Sequence, residues 1–174
     1  MDKYYFTYTE IHKTIQTSAK DILTSGFMPD YILAIGGGGF IPARILRTFI
    51  TKPVITVSLS RYKSSGEIVD IPVKQQWIDN INVDLNGKKI LLVDEVDDCR
   101  TTLEYCIDEL FKTYDIELAV YVLHNKKKEK HGKIPKQVKH VFIGKEIENK
   151  WINYPWDALD IEAHEFIANS NNPE

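Results

Sequence analysis

The chain has 174 residues, 43% of them hydrophobic and 27% charged, with a net charge of −3. That suffices for one domain with a proper core, and the slightly acidic balance gives no global pull toward nucleic acid or an anionic membrane. No apolar run approaches the roughly 18 residues of a membrane span, Met1-Asp2-Lys3-Tyr4-Tyr5-Phe6 carries no signal-peptide core, and Cys99 and Cys106 suit neither a disulfide framework nor a zinc site, so a reducing cytoplasm is the expected compartment.

In chain order, Thr9 to Ser25 reads as a helix. Ile11, Ile15, Ala19, Ile22 and Leu23 share a face, with Thr9 as candidate cap and Gly26 as candidate stop. Pro29 introduces a strand, Tyr31 to Ile35, which ends in Gly36-Gly37-Gly38-Gly39. A dinucleotide fingerprint fails here, because its third glycine falls on Ile41 or Pro42, and no Walker lysine follows. Four glycines between a strand and a helix still let the backbone approach a ligand closely. Phe40, Ile41, Ala43, Ile45, Leu46 and Phe49 make the next helix, with Arg44 and Arg47 read as structural or interface residues, the alternative being that they face an anionic ligand at the glycine loop. Pro53 opens a third strand, Val54 to Leu59. Ser60 to Glu67 is then a polar loop, either functional or a floppy hairpin tip. Val73 to Ile81 returns toward the sheet, and Asn86-Gly87 marks a turn.

Residues 89–103 organise the rest. Ile90, Leu91, Leu92 and Val93 form an apolar run typical of a strand buried on both faces. It runs into Asp94, Glu95, Asp97 and Asp98, a cluster that is costly unless it meets cations, hydroxyls or a metal. Ligands of open α/β sheets bind just past such strand ends. Asp98 to Thr102 lead into a helix striped by Leu103, Ile107, Leu110 and Phe111. The free N–H groups of its first turn and the hydroxyls of Thr101 and Thr102 suit an anion. The plain alternative is an N-cap made by Asp98 or Thr101.

Ile116 to Leu123 is another strand, and the run His124 to Lys130 is read mostly as a solvated charged loop. Lys139 to Ile143 is a final short strand. Lys150 to Asp157 is dense in aromatics, Ile161 to Ala168 is helical, and Asn169 to Glu174 fray. The order strand–helix–strand–helix, with apolar strands throughout, gives an α/β fold around a central, mainly parallel sheet.

The 89–103 stretch resembles the phosphoribosyl-pyrophosphate (PRPP) motif of type I phosphoribosyltransferases. The Lys150–Asp157 segment resembles the purine-binding segment of their hypoxanthine-guanine and xanthine-guanine members. The resemblance covers nearly the whole chain. It implies a single domain over residues 1–174, with the type I phosphoribosyltransferase fold and a small hood from the chain-terminal segments, chiefly about 144–160. Asp94 and Glu95 would hold the ribose hydroxyls. The amides of Cys99, Arg100, Thr101 and Thr102 would hold the 5′-phosphate. Asp98 would be the general acid/base near N7 of the purine. Gly36, Gly37 and Gly38 would form the pyrophosphate loop. Ser60, Arg61 and Tyr62 would belong to a mobile lid, with Lys63 also able to neutralise the leaving group. Lys126, or Lys127 one residue on, would donate to the 6-oxo group. Trp151 would stack on the base, and the Ile152 carbonyl would accept from it. Asp157 would reach Mg²⁺ through water. The family commonly has Thr at Cys99 and Gly at Arg100, and Arg100 could restore the lost donor with charge. The implied reaction moves phosphoribosyl from PRPP to N9 of a 6-oxopurine in purine salvage, with no nucleic acid or membrane partner and a homodimeric or homotetrameric assembly. The competing expectation is an RNA-binding regulator on the same fold, with the lysines of 126–130 as its basic face.

Overall fold

The structure is a computed structural model that describes residues 3–62, 65–80 and 82–171, with the side chains of Tyr62, Asn80 and Asn171 outside the description. Six strands form the main sheet: β2 (Tyr31–Gly36), β3 (Val54–Tyr62), β4 (Ile68–Gln76), β5 (Lys89–Asp97), β6 (Glu117–Lys127) and β7 (His140–Glu148). Their order is β4-β3-β2-β5-β6-β7, and every pairing is parallel except β3 with β4. The strand order reverses between β2 and β5, so their carboxyl ends flank a crevice.

Alternation along each strand sends successive side chains to opposite faces. Leu91 and Val93 join a core with α1 (Tyr8–Thr24) and α2 (Phe40–Ile50), through Ile11, Ile15, Ile22 and Leu46. Ile90 and Leu92 join the opposite core, with Leu103, Cys106, Ile107 and Leu110 of α3 (Thr101–Thr113). Both faces of the central strands are therefore covered, as their unbroken apolar runs require.

A second, two-stranded parallel sheet pairs β1 (Lys3–Tyr5) with β8 (Trp151–Asn153). It joins the two ends of the chain, with α4 (Ile161–Asn171) packed against β1. Residues 144–148 remain in the edge strand β7, so this smaller piece begins at Trp151.

Several expected boundaries move. The cap of α1 is Thr7 rather than Thr9: its hydroxyl accepts from Glu10 N at 3.0 Å, and Glu10 Oε2 accepts from Thr7 N at 2.8 Å, closing a capping box. Gly26 follows the helix at φ 83°, where the left-handed stop was expected. The strands outlast their apolar runs. β3 continues to Tyr62, β5 through the acids to Asp97, β6 through the lysines to Lys127, and β7 to Glu148, so 139–143 is neither short nor final. A strand that delivers polar side chains to a crevice keeps its backbone ladder after its hydrophobic pattern stops.

Candidate active site

A cavity of about 300 Å³ lies at the carboxyl ends of β2, β3 and β5, lined by Gly36, Gly37, Gly38, Leu59, Arg61 and residues 94–103. The glycine loop, the acids and the 98–102 loop are thus brought together. Close approach explains two of the glycines. A Cβ on Gly38 would collide with the Glu95 carboxyl, and one on Gly39 would sit 2.5 Å from Ile35 O and 2.7 Å from Val93 O.

Asp94 is buried, and its Oδ1 accepts from Glu95 N at 2.9 Å. Burial, followed by the charge of Glu95, raises its pKa well above the usual carboxylate range. Two adjacent acids with little cationic compensation suit a ligand that brings hydroxyls or a cation.

No side chain caps the N-terminus of α3. The N-cap alternative for Asp98 or Thr101 therefore fails, and Asp98 to Leu103 line the cavity instead. Arg100 occupies the left-handed region at φ 69°. Its guanidinium does not replace a phosphate donor: Nε and Nη2 bond Asp97 Oδ2 at 2.9 and 2.6 Å. Asp97, which carried no sequence assignment, is buried beneath the loop. Lys130 donates to the main-chain oxygens of Asp97 and Asp98 at 2.6 and 3.0 Å, and its Nζ is 3.6 Å from Asp97 Oδ1. His131 N and Gly132 N donate to Cys99 O at 3.0 and 3.2 Å. The stretch read as a solvated loop therefore braces the backbone of Asp97 to Cys99. The signal in the sequence was the acid cluster of 94–98, which needs cations to pair with.

Cys99 carries a free thiol 3.2 Å from Arg61 Nη1 and 3.3 Å from Thr101 Oγ1. Burial opposes its ionisation, but hydrogen bonds from Thr101 and the Arg61 charge outweigh it and lower the thiol pKa. Arg61 reaches the cavity from β3. Ser60 shares that strand, while the Tyr62 side chain and Lys63 lie outside the described residues.

Asp98 is partly exposed at the cavity rim. Lys126 Nζ lies 3.3 Å and Lys128 Nζ 3.1 Å from the same oxygen, Oδ1. Burial would raise its pKa, but the Lys128 hydrogen bond and both ammonium charges prevail and lower it. Lys127 points elsewhere, to Glu148 Oε1 at 3.2 Å. Each of the four lysines of 126–130 thus lies beside an acid, two of them sharing Asp98. Trp151 is 57% exposed, and Ile152 is half-buried beside it. Asp157 is exposed and lines a neighbouring cavity of about 230 Å³ with Tyr5, Asn153 and His164, not the larger one. Among the described residues no group of three or more His, Cys, Asp or Glu is placed to hold a metal ion.

The phosphoribosyl transferase domain model matches residues 7–160. The chain is 42% identical to the hypoxanthine-guanine phosphoribosyltransferase of Schizosaccharomyces pombe, over 92% of each chain. It is 39% identical to xanthine phosphoribosyltransferase 1 of Saccharomyces cerevisiae, over 96% of this chain and 95% of the relative. A solved hypothetical protein from Neisseria gonorrhoeae with bound ppGpp superposes with a TM-score of 0.90 at 45% identity, covering 98% of both chains. A strand of acids, an uncapped helix and a glycine loop around one cavity agree with these matches, and the chain belongs to the phosphoribosyl transferase family.

Proposed function

We propose that this phosphoribosyltransferase moves the 5-phosphoribosyl group of PRPP to N9 of a 6-oxopurine, hypoxanthine or guanine first and xanthine also, giving the nucleoside monophosphate and pyrophosphate. The observation that carries the base assignment is the pairing of Lys126 with Asp98 at the rim of the cavity. An ammonium beside a carboxylate matches the O6 and N7 edge of a 6-oxopurine. Adenine would set its amino group against Lys126 and leave donors mispaired.

In this reading the uncapped turn of α3 and the Thr101 and Thr102 hydroxyls take the 5′-phosphate, and Asp94 and Glu95 take the ribose hydroxyls. Gly36 to Gly38 and Arg61 face the pyrophosphate. Trp151 supplies an exposed ring for the base to stack on, and the Ile152 carbonyl accepts from its edge. The N9–C1′ bond forms as the bond from C1′ to the pyrophosphate oxygen breaks. The lowered pKa of Asp98 keeps it ionised at neutral pH, so it can accept the N7 proton. The family's Mg²⁺ fits a site without a protein cage, because this ion keeps several waters and binds substrate phosphates. Asp94 and Glu95 line the cavity that would take it, whereas Asp157 lines the neighbouring one, and the ion would neutralise charge on the departing pyrophosphate.

The ppGpp in the gonococcal neighbour is a guanine ribonucleotide with diphosphates. It presents the same base, ribose and phosphate that this reading asks the cavity and its rim to hold. We also propose a homodimer or homotetramer in the cytoplasm. No helix is long and apolar enough to cross a membrane among the described residues, and Phe166 and Leu159 leave apolar surface near the C-terminus.

The test is a PRPP-dependent assay with hypoxanthine on two variants. Lys126→Gln should lower kcat/KM by about tenfold or more, the scale of a charge-assisted hydrogen bond. Lys127→Gln, which only loses an exposed pair with Glu148, should match the wild type. The opposite ranking would move the base contact to Lys127.

A further inference from the structure

A buried chain of contacts runs from both ends of the polypeptide to the acid pair. Tyr154, the residue after β8, is buried, and its hydroxyl donates to the main-chain oxygen of Glu95 at 3.1 Å. The same phenol oxygen is 2.8 Å from His124 Nδ1. Its own proton is committed to Glu95, so it accepts from His124, which places the imidazole proton on Nδ1. His124 is fully buried on β6 and stacks on Phe6 at 4.0 Å. The Phe6 carbonyl meets His164 Nε2 of α4 at 2.8 Å. Tyr154 itself stacks on Trp156 at 4.3 Å.

We propose that Tyr154 is a positioning residue for the transfer reaction: its hydroxyl ties the segment carrying Trp151 and Ile152 to the backbone of Glu95, fixing base and ribose relative to each other. The inference rests on the proposed function. Neither tie touches a substrate in that reading. Each half of the site keeps its own contacts without it, but the halves are freed to shift against one another. N9 and C1′ react only when aligned, and a small misplacement reduces the rate far more than it weakens either ground-state complex. The loss therefore belongs in kcat.

The experiment is steady-state kinetics of Tyr154→Phe and Trp156→Phe beside the wild type, with PRPP and hypoxanthine, well below each melting temperature. Tyr154→Phe should lower kcat about tenfold and leave both KM values within about twofold, as expected for one lost hydrogen bond expressed in the transition state. Trp156→Phe loosens the same packing but keeps the hydroxyl, and should retain kcat. If Tyr154→Phe is too unstable to assay, adding His124→Leu removes both polar partners together, and the same fall in kcat is expected. Unchanged kcat in Tyr154→Phe, a rise in both KM values alone, or an equal fall in Trp156→Phe would each overturn the proposal. A wild-type protein without PRPP-dependent turnover would instead contradict the function on which it rests.

Discussion

Arg100 stands in the left-handed region at φ 69° and pairs with buried Asp97, so its guanidinium braces the loop that carries it. A side chain at this φ costs roughly 1–2 kcal/mol that glycine avoids. The ion pair offsets this, because removing Arg100 leaves Asp97 buried with Lys130 alone. Both Arg100→Gly and Arg100→Ala should therefore unfold at lower urea than the wild type, with Ala the worse by about 1 kcal/mol. A glycine variant more stable than the wild type would show that the pair contributes nothing. Lys126 and Lys127 are adjacent on β6, and alternation sends them to different acids, Asp98 and Glu148.

At the scale of elements, the glycine loop between β2 and α2 carries two different constraints. Gly39 is pressed against main-chain oxygens of β2 and β5, whereas Gly38 faces the carboxyl end of a side chain. Gly39→Ala should lose about 1–3 kcal/mol of stability, because backbone must shift. Gly38→Ala should keep its melting temperature closer to the wild type but displace Glu95, raising the KM for PRPP by about tenfold or more. Thermal melts and PRPP titrations on the two variants check this, and equal effects on both readouts would contradict it. The core and order of the elements were visible in apolar runs such as Ile90 to Val93. Their ends were not, because β5 and β6 carry acids and lysines at the very positions where pattern reading expects a loop. The short strands β1 and β8 were missed for a related reason. Three residues that pair only with the other end of the chain leave no periodicity to read.

Across the whole molecule, the terminal segments meet through β1 and β8 and are tied to β6 through His124. Burial, aided by the charge of Lys145, lowers this imidazole from 6.5 to about 3. The unfolded chain takes up a proton near pH 6.5, and the folded chain does not until about pH 3. Stability from this group is therefore full above pH 6.5 and is lost as pH falls through that window. Melting temperatures should drop from pH 6.5 to 4, and His124→Asn should flatten the slope; an identical slope in both proteins would place the acid sensitivity elsewhere. The family and the mainly parallel sheet were legible, because segments resembling a PRPP motif and a purine-binding segment occur in order along one chain. What sequence could not show is that Asp97, His124, Tyr154 and Lys130 hold those motifs together, since their partners lie about 30 residues or more away along the chain, apart from Arg100 beside Asp97.

The most direct test is turnover with PRPP and Mg²⁺, offering hypoxanthine, guanine, xanthine and adenine separately, with Asp98→Asn in parallel. The expected result is turnover of 6-oxopurines, little with adenine, and a fall of roughly 10²–10⁴ in kcat for Asp98→Asn, the range of a lost general base. Adenine used as well as hypoxanthine, or Asp98→Asn working at the wild-type rate, would contradict it.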